Sequence, residues 1–514
     1  MKQAACLFLI VVLMVSPTAG LAAGGSKDTL VYAAYADIGD WDPSVAFSME
    51  IIMLQGVYEP LVWYNPPGSV KQLRPALATS WEKSSDGLRW TFYLRRGVKF
   101  HDGEPFNAAA VKHSIERTMK MKRGAHYIWS AVGEIKVVDD FTVQFILREP
   151  APIDLIASSQ YGAYIFSPRS AEKGTGWFMQ GHDAGTGPYR VASWEKGRQV
   201  VLNKFDDYWG GWSGRHFDHI IIKVVREKST QVRMIKSGEA DFASLVPVDA
   251  LQALKKAPGV EVLTPNSWKN TMFLINTQKF PTDNLKIRRA LCYAWDYDAV
   301  IESIYHGLAS RGDGPVPMTM WGHNPDLPKY DFNLRKAARL IRESGIPADK
   351  LKLSLAYIAA SQEYENCARL LQANLARIGV ELDLLPGPWG TIREKARNLK
   401  TAPNLQSMTW WPTYPSPGDW LTGMFKTEEK AIFNLSHYSN PRVDALIEKG
   451  RKMEGTDRPA AIRAYEEAQK LIVEDAPAIF YADIRSRIVK RSSVKGFSVN
   501  PGYNGLFFYR LYRR

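Results

Sequence analysis

"LATSWEKSSDGLRWTFYLRRGVKFHDGEPFN", residues 77–107, carries two kinds of local instruction. Asp86-Gly87 and Asp102-Gly103 are turn signals, because glycine takes the positive φ that tight turns demand and aspartate bonds to nearby amides. Between them Trp90, Phe92 and Leu94 fall on one side of an extended segment and Thr91 and Tyr93 on the other, the period-two pattern of a half-buried strand. Gly97 breaks that strand before Phe100. A strand with one apolar face needs another layer to cover it.

Such layers are predicted along the whole chain. Thr29–Tyr35 reads as a first strand and Lys136–Leu147 as a hairpin turning at Asp139-Asp140. Ser229–Lys236 opens on a candidate N-cap serine, places Val232 and Ile235 three apart and stops at Gly238; Asp241–Leu245 follows as a strand. A longer helix is predicted from about Asn284 to Tyr305, ending at Gly307. Another, from about Glu363 to Ile378, puts Leu371, Leu375 and Ile378 on one face. Gly379 ends it, and Val380–Leu384 alternates as the next strand. Helix, glycine, strand is the grammar of an α/β fold.

The chain has 514 residues, 45% apolar and 23% charged, which is globular composition and roughly three domains' worth of length. Lys2, the apolar run Ala4–Val15, the breaker Ser16-Pro17 and the small residues around Ala22-Ala23 form a secretory leader, so residues 1–25 are expected to be cleaved on export. No later apolar run approaches the ~18–20 residues that span a bilayer. Net charge is +13, spread without long runs of like sign. A basic exported chain suits an anionic membrane or acidic solute better than nucleic acid, for which no motif is present. Cys292 and Cys367 are the two cysteines left after cleavage; one bridge between them, or two buried thiols, are both open.

Catalytic signatures are missing. There is no Gly-x-Ser-x-Gly elbow and no His-Glu-x-x-His. Glu227-Lys228-Ser229-Thr230 lacks the glycines of a phosphate loop, and His216-Phe217-Asp218-His219 has too few ligands to define a metal site. His101-Asp102-Gly103 is read as a turn rather than as an acid–base pair. The expectation is a non-enzyme without cofactor or metal.

Three stretches carry a resemblance. Residues 77–107, then "GTGPYRVASWEKGRQVVLNKFDDYWGG" at 185–211, then "NTQKFP" and "KIRRALCYAWDYDAV" within 276–307 are similar, in that order, to the extracellular solute-binding proteins of family 5, the peptide/nickel type that serve ABC importers. The likeness continues through "YDFNLRKAARLI", "LLQANLARIGVEL" and "PRVDALIEKGRKM" to "APAIFYADIRSRIV" and covers essentially all of the mature chain.

The resemblance implies an α/β fold of two lobes with a hinge-closing, type II arrangement and an extra subdomain in lobe one. Lobe one would be 26–267 plus 486–514, the inserted subdomain about 66–185, and lobe two 268–485. It implies a periplasmic protein, expected to be a monomer, that captures a small peptide or peptide-like solute between its lobes and presents it to separate permease and ATPase subunits.

Within that frame "TWWPTYPSPGDW", residues 409–420, becomes the candidate cleft wall. Its prolines predict a stiff loop. In peptide binders of the family the comparable segment carries an aspartate for the peptide ammonium. Trp410 and Tyr414 take the family's tryptophan and tyrosine positions, but that aspartate falls on Thr413. Losing one partner of a buried charge pair typically costs ~2–5 kcal/mol. Either Asp37 or Asp419 supplies the carboxylate, or the solute is of another kind: an oligosaccharide, an opine-like amino-acid conjugate or a metal chelate against Trp410, Trp411 and Tyr414. Tyr35 and Asp37 after the first strand, Trp268 and Asn270 at the crossing to lobe two, and Trp389 at its rim complete the expected ligand-contacting set.

Overall fold

Alternation along two strands decides where the cores lie. In Thr29–Ala34, Leu30, Tyr32 and Ala34 enter one large core while Val31 and Ala33 enter another. In Asn266–Ile275, Met272 and Leu274 enter the same large core, and Phe273 and Ile275 a third. In the computed structural model, which describes residues 28–47, 51–503 and 505–514, these strands sit in two separate mixed sheets. The inner faces of both sheets share one core and each outer face has its own. The expected leader, residues 1–25, lies outside the described residues.

The first sheet is seven-stranded, in the order Val260–Leu263, Ile488–Arg491, Phe242–Ala243, Thr29–Ala34, His219–Val224, Gln199–Lys204, Tyr189–Glu195. The second is six-stranded: Ala309–Arg311, Ala478–Arg485, Asn266–Ile275, Leu405–Trp410, Lys352–Ile358, Glu381–Gly387. The chain leaves the first sheet after Leu263 and returns to it at Ile488. The two crossings run side by side, the Ser486 amide donating to the Pro265 carbonyl at 2.9 Å. Two adjacent segments thus connect the two sheets.

A third, antiparallel sheet holds the opening stretch: Ala78–Lys83, Arg89–Leu94, Thr142–Leu147 and Val132–Asp139 in that order. Trp90, Phe92 and Leu94 are buried and Tyr93 is exposed, but Thr91, expected on the side of Tyr93, is buried too, its hydroxyl accepting from Gln144 Nε2 on the neighbouring strand at 3.2 Å. The helix Ala108–Met121 packs on this sheet, capped by Asn107, whose side chain accepts from the Ala110 amide at 3.0 Å.

Several elements differ from the sequence reading. The long helix expected over 284–305 is split: Leu285–Tyr293 ends, and Asp296 caps a new turn by accepting from the Ala299 amide at 3.0 Å. An internal aspartate offers the backbone that alternative. The helix Lys228–Ser237 begins before Ser229, so this serine lies inside it rather than at its cap. The strand expected over 241–245 is only Phe242–Ala243. By contrast the helix Gln362–Ala376, the positive φ of Gly379 (+76°) and the strand Glu381–Gly387 follow one another as read. Cys292 and Cys367 are buried free thiols.

Candidate binding cleft

The stretch 409–420 is loop only in its middle. Thr409 and Trp410 end the strand Leu405–Trp410, and Pro417 begins the helix Pro417–Phe425. Proline is tolerated in a helix's first turn, where its missing amide hydrogen would have no partner anyway. Ser416 caps that helix, accepting from the Gly418 amide at 2.9 Å.

The helix start turns Asp419 back beneath the loop. Its Oδ2 accepts from the Thr413 amide at 2.7 Å and from the Trp410 indole N–H at 3.2 Å. Burial pushes its carboxyl up to about 7, against the pull of those hydrogen bonds. Beside it, Ser416 and Tyr465 donate to Oε1 of Glu454, whose burial likewise raises its carboxyl to about 7. Trp410 and Tyr414 are buried by this packing and Trp411 is half-buried.

Residues 411–413 bond directly to segments around the third sheet. Thr413 Oγ1 lies 2.9 Å from the Tyr127 hydroxyl, Ser159 Oγ donates to the Thr413 carbonyl at 2.6 Å, and the Trp411 indole donates to the Tyr161 hydroxyl at 3.0 Å. Rings continue the seam. Phe47 meets Tyr161 at 5.3 Å between centroids, Tyr127 at 6.5 Å and Phe433 at 5.8 Å, and Phe433 stands edge-on to Trp410 at 5.2 Å. The Arg393 guanidinium lies over Phe433 at 4.5 Å.

A row of the six-stranded sheet adds a polar side to this seam. Ser310, Asp483, Asn270 and Trp410 stand in register on neighbouring strands. Such partners project to one face. Asn270 Nδ2 donates to the carbonyls of Gly314 (3.2 Å) and Pro315 (3.0 Å), while its buried Oδ1 has no partner among the described residues. Asp483 Oδ2 accepts from the Met318 amide at 2.7 Å and its buried Oδ1 likewise has no partner among the described residues. Burial raises the Asp483 carboxyl to about 7.

The remaining expected contacts sit in other surroundings. Trp268 is buried, its indole donating to the Thr319 carbonyl at 3.3 Å and its ring edge-on to Tyr64 at 5.7 Å. The Tyr35 amide donates to Ser244 Oγ at 2.9 Å at the end of the first strand. The Asp37 carboxylate accepts from the Trp194 indole (3.0 Å) and the Gly197 amide (2.6 Å), clasping a hairpin. Trp389 opens the helix Trp389–Ala396, half-buried against the large core.

Thus Trp410, Trp411, Thr413, Tyr414 and Asn270 are brought together, and Asp37 is bonded elsewhere. Sequence reasoning missed Phe47, Tyr127, Ser159, Tyr161, Phe433 and Asp483. Only the in-register pairing of Asn270 with Asp483 could have flagged the last, and strand order is not written locally.

Other polar groups have structural partners. His101 bonds to Asp183 and to the Gly187 carbonyl (2.8 Å), while Asp102 takes the hydroxyls of Ser167 and Ser170, both at 2.6 Å. His216 contacts the Tyr509 and Ser213 carbonyls and His219 the Asn203 side chain. Among the described residues no group of His, Cys, Asp and Glu gathers to hold a metal, and no helix is long and apolar enough to cross a membrane.

The model of the bacterial extracellular solute-binding proteins, family 5 (middle region) matches residues 72–431. The chain belongs to that family. The probable D,D-dipeptide-binding periplasmic protein DdpA of Escherichia coli K12 is 29% identical over 490 residues, 94% of this chain and 93% of the relative. The glutathione-binding protein GsiB of Pectobacterium atrosepticum is 30% identical over 437 residues, 83% of each chain. Among solved structures, the ABC transporter-associated periplasmic binding protein DppA of Helicobacter pylori, in complex with the peptide STSA, superimposes with a TM-score of 0.83 at 26% identity. It spans 95% of this chain and 98% of the other. This family 5 protein accordingly has the two-lobed α/β fold of type II periplasmic binding proteins, and the members it matches are binding proteins of ABC importers.

Proposed function

We propose that this family 5 protein is the exported, non-catalytic solute receptor of an ABC importer and that its solute is peptide-like. Lobe one is assigned to 26–267 with 486–514, the subdomain to about 66–185 and lobe two to 268–485, the hinge being the paired segments at Pro265 and Ser486. The protein works as a periplasmic monomer after leader cleavage, handing its solute to permease and ATPase subunits.

One observation carries the reading. The loop 411–416 bonds across the seam to Tyr127, Ser159 and Tyr161, so a solute lying against it touches both sides and favours the closed form. Where Thr413 lacks a carboxylate, the unpaired Oδ1 atoms of Asp483 and Asn270 offer acceptors for an ammonium on the same sheet face as Trp410. The relatives named for D,D-dipeptide and glutathione, and the one seen with STSA, support a peptide-like guest. Trp389 and Tyr35 are assigned as outer contacts, and the buried Trp268 as support behind the cleft.

Mass spectrometry of the solute that co-purifies with the mature protein tests this, together with calorimetric titration of dipeptides. Asp483→Asn is expected to weaken a dipeptide at least tenfold, and Thr413→Asp to strengthen it. A co-purified solute with no amide or ammonium, or turnover of an added peptide, overturns the proposal. Hydroxyl-rich solutes are the reading that Thr413 would then favour.

A further inference from the structure

Away from the cleft, a cavity of about 280 Å³ opens between the strand pair Val62–Tyr64 and Leu73–Pro75 and the C-terminal turn Phe508–Arg510. Its walls are rings: Trp63, Tyr208, Trp209 and Phe507. Glu59 also lines it, but its carboxylate is already held. Oε1 accepts from the Tyr208 hydroxyl at 2.9 Å, and Oε2 from the Trp209 indole (2.7 Å) and the Thr186 hydroxyl (3.0 Å).

Two cations and one amide in the same lining have no such partners. Arg74 and Arg510 make no salt bridge among the described residues. They stand 5.6 Å from the ring centroids of Trp63 and Phe507 respectively. Arg74 is depressed to about 10, by burial first and then by the charge of Arg510. Gln55 is 3% exposed, and among the described residues neither its Oε1 nor its Nε2 has a hydrogen-bond partner. Unpaired buried amides are uncommon in folded proteins. Here the amide lines the same cavity as two guanidiniums.

We propose that this cavity is a second ligand site, taking a small carboxylate carried on a flat ring. A carboxylate at the end of the cavity lined by Arg74 and Arg510 supplies the counter-charge that neither has in a salt bridge and matches guanidinium geometry. The ring lies among Trp63, Trp209 and Phe507, where offset aromatic contacts are favourable. The Gln55 amide meets the polar end. The volume lies at the small end of ligand pockets, which run from ~300 to ~1,000 Å³, and so suits a one-ring compound. Glu59, its oxygens already taken by Tyr208, Trp209 and Thr186, leaves the arginine end as the place for the anion.

Benzoate is the probe, titrated into the full mature protein by calorimetry and ligand-observed NMR. Saturable binding is expected at about 1 mM or tighter, with Arg74→Gln and Arg510→Gln each weakening it about tenfold. Arg510 is surface-exposed, so its variant keeps the fold even if Arg74→Gln does not. Inorganic phosphate is expected to compete only weakly, having no ring, and a dipeptide in the cleft is expected not to compete at all. The proposal is overturned by absence of saturation at about 10 mM. Unchanged affinity in both variants overturns it, as does phosphate binding as well as benzoate. Displacement by the cleft solute would do the same, because it places benzoate in the cleft.

Discussion

Thr413 and Tyr127 meet hydroxyl to hydroxyl at 2.9 Å although 286 residues of chain separate them. Burial holds the Tyr127 phenol well above its ordinary range, so it acts as a neutral partner at any physiological pH. Thr413→Val leaves the Tyr127 hydroxyl buried and unpaired, an expected cost of about 1–3 kcal/mol. Tyr127→Phe on that background removes the orphan and is expected to recover part of the loss. A double-mutant cycle by urea denaturation measures the coupling, and strictly additive losses would show that the two hydroxyls act independently.

Trp411 reaches the same seam through its indole N–H, which donates to Tyr161. Trp411→Phe keeps a ring and deletes the donor. Because the bond closes the seam rather than the core, the melting temperature of the unliganded protein is expected to stay within about 2 °C. Solute dissociation is expected to quicken about three- to tenfold, since differences among variants of one interface fall mainly in the off-rate. Stopped-flow dissociation and scanning calorimetry on the same sample separate the two effects.

Acidity should reinforce the same region. Asp419, Glu454 and Asp483 are each raised to about 7, in every case chiefly by burial. Between about pH 4 and pH 7 the folded protein therefore holds protons that the unfolded chain has released. Stability from these groups is complete below the ordinary carboxylate range, declines as pH rises to about 7 and is flat above it. Asp419→Asn keeps an acceptor for the Thr413 amide and removes the titration. Its melting curve is expected to vary less between pH 5 and 7.5 than the parent's, with the gain largest at the alkaline end. An unchanged pH slope would mean that Asp419 is ionised in the folded protein.

How much of this was readable beforehand depended on the range of the interaction concerned. The strand Arg89–Leu94, the helix Gln362–Ala376 and the break at Gly379 are set by neighbours in sequence, so periodicity and a positive φ reveal them. The split at Asp296 is also local, but an apolar pattern running through Trp295 hides it. Trp410, Thr413 and Tyr414 stood out because a stiff proline-rich stretch with three large rings asks for a partner. Tyr127, Ser159 and Tyr161 carried no such sign, being ordinary buried residues until the loop meets them. Asp37 shows the converse: an acid just after a first strand looked available, yet Trp194 and Gly197, more than 150 residues on, occupy it.

Asp42 and Arg117 test whether the approach of Phe47 to the seam is set from behind. Asp42 is fully buried. Its Oδ1 accepts from Arg117 Nη1 at 2.7 Å and from the Ser44 amide at 3.0 Å, and its Oδ2 from Arg117 Nη2 at 2.6 Å. Arg117 Nη1 also donates to Ser44 Oγ at 2.7 Å, so one guanidinium from the helix Ala108–Met121 fixes the turn that leads to Phe47. Asp42→Ala strands that guanidinium among buried groups, and breaking a pair in this way typically costs about 3–5 kcal/mol. Arg117→Lys keeps the charge but loses the two-pronged geometry, so it is expected to fall between parent and Asp42→Ala. If the turn also places Phe47, solute affinity in calorimetry should fall in the same order as urea stability. Affinity left at the parental value in a folded Arg117→Lys protein would show that Phe47 is positioned by Tyr161 and Phe433 alone.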